Sequence, residues 1–139
     1  MTTLCRIYLA VLSGYHVLTG IVSFAFPQFA FRFYAALYAC NPAERRQLVL
    51  VMKPWGALAL CAGVAGLFAA ADPVRYWGVV AALWLLLVLR IVFRLVWRAE
   101  LAEVGRIPAH RNLLSTGIIA AGAVILGAWL VRHLSLSLV

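Results

Sequence analysis

The chain has 139 residues, of which 66% are hydrophobic and 12% charged, with a mean hydropathy of +1.02. An ordinary soluble domain is about 45–50% apolar and about 25% charged, so a water-soluble fold of this size is excluded. The net charge of +8 does not imply nucleic acid, because the basic residues flank hydrophobic spans and serve orientation and head-group contact instead.

Four apolar rods of about 20 residues would use most of this surface in lipid, and the length has room for one domain, 1–139. The expectation is an all-α integral membrane four-helix bundle. Cys5, Cys40 and Cys61 are isolated, without a C-x-x-C pair, which removes the signatures of a thiol–disulfide oxidoreductase and a zinc knuckle. They read as small apolar fillers.

The first span is expected over residues 4–26. Its n-region holds only Arg6 and its apolar stretch is too long for a signal peptide, so it reads as a retained helix. Ser13, His16, Thr19, Gly20 and Ser23 fall within an arc of about 120° on a helical wheel. Polar groups in hydrocarbon seek other helices, so this arc should face the bundle.

Pro27 ends the span. Residues 28–39 are aromatic, carry only Arg32 as a charge and are too short to cross, so they lie in the interface or dip back into the bundle. Asn41-Pro42-Ala43-Glu44 reads as a helix start, with Asn as cap and Pro in the first position. The second span is expected over 49–71, bent at Pro54. Its pairs Ala59/Gly63, Ala62/Gly66 and Gly66/Ala70 would let a neighbouring backbone come close.

Asp72-Pro73 predicts a tight turn, and a third span follows over 74–97. Arg90, Arg94 and Arg98 recur every four residues and form one stripe near its end. Arg90 is the deepest of the three and the one expected to need a partner, while Arg94 and Arg98 reach head-group depth. A polar connection leads to the fourth span, 113–131, where Gly117/Ala121 and Ala123/Gly127 offer a second close-packing face.

Lysine and arginine are distributed unevenly. Arg32, Arg45, Arg46, Lys53, Arg90, Arg94, Arg98, Arg106 and Arg111 fall on one side, and Arg6, Arg75 and Arg132 on the other. The positive-inside rule then places both termini on the non-cytoplasmic side. Trp55 and Trp97 fall at the inner boundary and Trp77 and Trp129 near the outer one, with Tyr34 and Tyr38 as further belt residues.

His16 sits roughly 18 Å beyond Leu4 along the first helix, near the bilayer centre. It is either a proton relay, ligand contact or cofactor ligand, or a neutral imidazole bonded to another helix. The arginine stripe is either a snorkelling helix end or a basic pocket for an anionic head group, with Arg45, Arg46, Lys53 and Arg98 as further head-group contacts. No Asp or Glu lies within a span, which argues against proton- or cation-coupled transport. There is no G-x-S-x-G, no H-E-x-x-H and no phosphate-cradling glycine loop, so nothing identifies an enzyme. No cofactor and no metal site are expected.

Gly14-Tyr15-His16 through Gly20 with Pro27 after the span, Lys53-Pro54-Trp55-Gly56 opening a glycine-rich helix, Arg90 and Arg94, and Gly105-Arg106-Ile107-Pro108 together form a recognisable layout. It resembles the small four-helix bacterial membrane proteins of the DoxX-like kind, which implies a bacterial inner membrane. Leu37-Tyr38, Asn41-Pro42, Trp55-Gly56, Asp72 and Tyr76 also resemble in order the small four-span scaffold family of sterol synthesis, which tethers enzymes rather than catalysing.

Two functions remain in view. The first is a non-catalytic accessory or scaffold subunit of a membrane complex or homo-oligomer, assembled through the small-residue faces. The second is a binding protein or modifying enzyme for a lipid, isoprenoid or quinone held between the helices. In that case Ser13, His16, Thr19 and Ser23 would make the polar contacts, and Arg90 and Arg94 would hold the head group.

Overall fold

The computed structural model describes residues 1–38 and 45–137. Its regular elements are all helices, with no strand among the described residues. The order is α1 (Thr2–Ala25), α2 (Pro27–Tyr38), α3 (Arg45–Ala71), α4 (Trp77–Val96), α5 (Arg98–Glu103) and α6 (Ala109–Ser137). The segments Thr2–Ala25, Leu48–Ala71, Trp77–Val96 and Ala109–Leu136 are each long and apolar enough to cross a membrane. The chain is an integral membrane protein of the all-α class.

Most helix boundaries follow from local chemistry. α1 stops at Phe26, whose φ of −128° and ψ of 58° leave the helical region, because Pro27 disfavours α geometry in the residue before it. Pro27 then opens α2, where its missing N–H costs nothing. Pro54 lies within α3, which continues through it. The predicted start at 41–44 lies outside the described residues. The Asp72 carboxylate accepts the Arg75 N–H at 3.1 Å, and the Asp72 carbonyl accepts the Tyr76 N–H at 3.1 Å. This forms the expected turn, but it consumes residues 73–76, so α4 starts at Trp77 rather than at 74.

Two other expectations need correction. The stripe of Arg90, Arg94 and Arg98 does not lie on one helix. Trp97, with φ −96° and ψ 29°, ends α4 and starts the short α5, so Arg98 leaves the stripe that holds Arg90 and Arg94. The last helix is longer than 113–131, beginning at Ala109 and continuing to Ser137. Gly105 and Arg106 turn the chain between α5 and α6. Arg106 takes a left-handed φ of 53°, and the Ile107 N–H returns to the Leu101 carbonyl at 3.0 Å.

α1 and α3 form the closest pair. A Cβ at Gly63 would fall 2.6 Å from the Val17 nitrogen, and one at Gly56 would fall 2.6 Å from the Phe24 nitrogen. Glycine is thus required for backbones to meet at this seam. α4 and α6 form a second pair around Leu83, Leu87, Leu126, Trp129 and Leu130, all buried. Trp129, placed near the outer boundary as a belt residue, packs in this interior at 3% exposure.

The Gly117/Ala121 pair does not pack: both residues are exposed, and a Cβ at Gly117 would have nothing within 4 Å. Gly127 instead makes room for the Trp84 indole, and Gly122 for the Tyr8 hydroxyl reaching across from α1. α2 packs on α1 and α3 through the buried Ala30 and leaves Phe29 and Phe33 exposed.

The two ends of the bundle are well defined. The Arg6 guanidinium donates to the Ala70 carbonyl at 3.2 Å and also to the Ala71 carbonyl, capping the C-terminus of α3. At the same end, His133 of α6 stacks on Trp129 at 5.0 Å and lies 6.4 Å from Trp77 at the start of α4. The starts of α1 and α4 therefore share one end with the finishes of α3 and α6. The arginines of α4 lie toward the other.

Candidate functional site

His16 is the fifteenth residue of α1 and Arg90 the fourteenth of α4. At 1.5 Å per residue both lie about 20 Å from the same end of the bundle. Their depths match, and they face a common cavity of about 460 Å³. Its walls come from Tyr15, His16 and Thr19 of α1, Phe31 and Tyr34 of α2, and Leu48, Val51, Met52, Trp55 and Ala59 of α3. Arg90, Phe93 and Arg94 of α4 complete it, with Leu101 of α5 and Ile107 beyond. The volume lies within the range of about 300–1,000 Å³ usual for small-molecule sites.

The polar arc of α1 divides between two tasks. His16 and Thr19 reach the cavity; Ser13 and Ser23, predicted as ligand contacts, do not line it. They are buried at the α1–α3 seam, Ser13 against Gly66 and Ser23 against Gly56. Neither hydroxyl has a hydrogen-bond partner among the described residues. Sites on the same arc separate because α3 lies against only part of it.

His16 is 7% exposed, and its Nδ1 donates to the Leu12 carbonyl one turn earlier at 2.8 Å. A carbonyl only accepts, so the proton belongs on Nδ1 and Nε2 is left for the cavity. The ring is also fixed edge-on by Tyr15, with centroids 5.5 Å apart at 88°. The partner is thus a carbonyl of the same helix, not a group on another one. Thr19 bonds back in the same way, its hydroxyl donating to the Tyr15 carbonyl at 2.7 Å.

Arg90 is the arginine expected to need a partner, but the hydrogen-bonded one is Arg94. Arg94 is the buried one, at 9% exposure, and its Nη1 donates to Asn112 Oδ1 at 2.8 Å. The Asn112 amide donates back to the Arg94 carbonyl at 3.2 Å, and the Thr116 hydroxyl donates to the Asn112 carbonyl at 2.7 Å. Arg90 is half-buried, and its guanidinium has neither a hydrogen bond nor an ion pair among the described residues. No carboxylate is among the described cavity walls.

The remaining head-group candidates stand apart. Lys53 and Arg98 are exposed and outside the cavity. The side chains of Arg45 and Arg46 lie outside the described residues, as do Cys40 and the side chain of Tyr38. Sequence reasoning missed Phe31 and placed Tyr34 in the membrane belt rather than in a ligand cage, although their i, i+3 spacing on an amphipathic segment was a usable signal. Asn112 carried none, being one polar residue in a polar connection. No group of three or more His, Cys, Asp or Glu side chains among the described residues is placed to hold a metal ion.

The site therefore joins a cationic side and an imidazole to an aromatic and aliphatic wall. Its polar groups come from α1 and α4, and most of the remaining wall is apolar. No protein-family model, no curated protein and no solved structure matches this chain, so neither resemblance of layout is supported.

Proposed function

We propose that this chain is a membrane-embedded binding protein for an amphiphile, with the anionic head against Arg90 and His16 and the apolar part along Phe31, Met52, Trp55 and Phe93. The observation that carries this reading is Arg90. A guanidinium roughly 20 Å along a membrane-spanning helix needs an acceptor, and the described residues provide none. An anionic head group would supply it, while His16 Nε2 accepts a hydrogen bond from a hydroxyl of the same head. The reading covers lipids, isoprenoids and quinones with acidic or hydroxylated heads, and includes no chemical step.

The charge distribution supports an orientation with the arginine-rich end in the cytoplasm and both termini outside. Mass spectrometry of the chain purified in mild detergent tests the binding proposal. A retained amphiphile is expected in the wild type and should be lost or reduced at least about tenfold in Arg90→Gln and His16→Ala. Unchanged retention in both variants would defeat it.

The scaffold reading keeps one observation of its own, the small-residue pair Gly117/Ala121 left outside the bundle. Disulfide trapping through Ala121→Cys tests that face. A specific cross-linked species would favour assembly there, and its absence would count against it.

A further inference from the structure

A second cavity, of about 370 Å³, lies between α1, α4 and α6 and shares Tyr15 and Arg90 with the first. We propose that it binds an anionic glycerophospholipid, the phosphate between Arg90 and Arg111, and that this lipid competes with the ligand of the first cavity for Arg90. The proposal rests on reading Arg90 as an anion-facing residue and adds a second site, its ligand class and a coupling between the two.

The geometry follows the direction of a membrane lipid. Arg111 and Ser115 stand near the start of α6, and Arg111 is about 3 Å along that helix from Ala109. Arg90 lies about 9 Å before the end of α4, at the same end of the bundle. Deeper in, the wall becomes Leu87, Ile118 and Ile119. Charge is concentrated toward one end, with apolar wall toward the membrane interior.

Among the described residues, neither guanidinium has a hydrogen bond or ion pair and no acidic residue lines this cavity. The rim residues Val11, Leu114 and Ile118 are 67%, 60% and 66% exposed on spanning helices, so the mouth opens toward lipid rather than water. That favours a lipid phosphate over a free one.

Competition follows from the shared wall. Arg90 borders both cavities, so two anions beside it share one positive charge and repel each other. Filling either cavity should weaken the other.

Native mass spectrometry of the delipidated full chain in dodecyl maltoside, titrated with dihexanoyl phosphatidic acid, tests this. Two lipids should bind, the second about five- to tenfold more weakly than the first. Arg111→Gln or Ser115→Trp should leave the first-cavity lipid only. Met52→Trp should leave the second-cavity lipid only, and Arg90→Gln should weaken both. Arg111→Gln changes an exposed position, so it carries the test if Ser115→Trp fails to fold.

A single lipid lost in Met52→Trp but indifferent to Arg111→Gln and Ser115→Trp would overturn the second site and leave the first reading standing. A single lipid with the opposite response would support the second site and overturn the first. Two lipids of equal, independent affinity would overturn the competition. Displacement by equimolar inorganic phosphate would overturn the lipid assignment.

Discussion

Arg94 and Asn112 hold each other across the α4–α6 contact by two hydrogen bonds, guanidinium to amide oxygen at 2.8 Å and amide nitrogen to the Arg94 carbonyl at 3.2 Å. The exchange joins helices that a polar connection separates in sequence. Arg94 is buried, so removing the amide takes an acceptor from a charge with poor access to water. Asn112→Ala should destabilise the protein by about 2–3 kcal/mol, and Asn112→Asp by less, because its carboxylate still accepts from Nη1. Thermal unfolding in detergent checks the order. A loss below about 0.5 kcal/mol for the alanine variant would mean that the pair contributes little.

The α1–α3 seam gives a prediction that separates two adjacent glycines. A Cβ at Gly66 would collide chiefly with the Ser13 hydroxyl, then meet Leu83 Cδ1 at 3.1 Å and Ser13 Cβ at 3.2 Å. A Cβ at Gly63 would strike the Val17 backbone nitrogen at 2.6 Å. Gly66→Ala and Gly63→Ala should each cost about 1–3 kcal/mol by overpacking. Adding Ser13→Ala should recover much of the loss at Gly66 and none at Gly63. A double-mutant cycle measures this, and equal rescue at both positions would refute the assigned contacts.

Ser13→Ala and Ser23→Ala alone should be neutral or slightly stabilising. Each removes a buried hydroxyl that has no hydrogen-bond partner among the described residues. The melting temperature in detergent should stay level or rise. A clear fall in either variant would indicate that the hydroxyl is satisfied after all.

Arg6 is exposed and bonds the last carbonyls of α3. Its contribution is screened, so Arg6→Gln should cost no more than about 0.5 kcal/mol. Local hydrogen exchange around Ala70 and Ala71 should rise more visibly than global stability falls. Unchanged exchange there would show that water replaces the cap.

The proposed orientation can be read from labelling. In a background with the native cysteines replaced, Thr3→Cys should react with a membrane-impermeant maleimide on intact cells. Glu103→Cys should react only after permeabilisation. Both positions are exposed, so access to the reagent depends on the side of the membrane. The reverse pattern would invert the topology.

The sequence was most legible where lipid imposes a strict rule. Ser13, His16, Gly20 and Ser23 sit on one arc, and all four are buried, because polar side chains and bare backbone have few favourable places in hydrocarbon. What divides Ser13 from His16 is the lateral position of α3, a tertiary fact with no local signature. The break at Trp97 was equally hidden, since residues 95–100 contain neither glycine nor proline. Burial of Arg94 over Arg90 follows from where α6 crosses, and Asn112 is recognisable as its partner only once that crossing is known.

The glycine seam also bears on how the protein is made. Gly66 follows Ser13 by roughly fifty residues, so the seam closes only after α3 has been synthesised and inserted. Until then α1 must carry Ser13, His16 and Ser23 without their final neighbours. The α4–α6 contact, by contrast, closes locally through Arg94 and Asn112. A polar arc sheltered in the finished molecule is therefore a biogenesis burden, and the first helix waits longest for its partner.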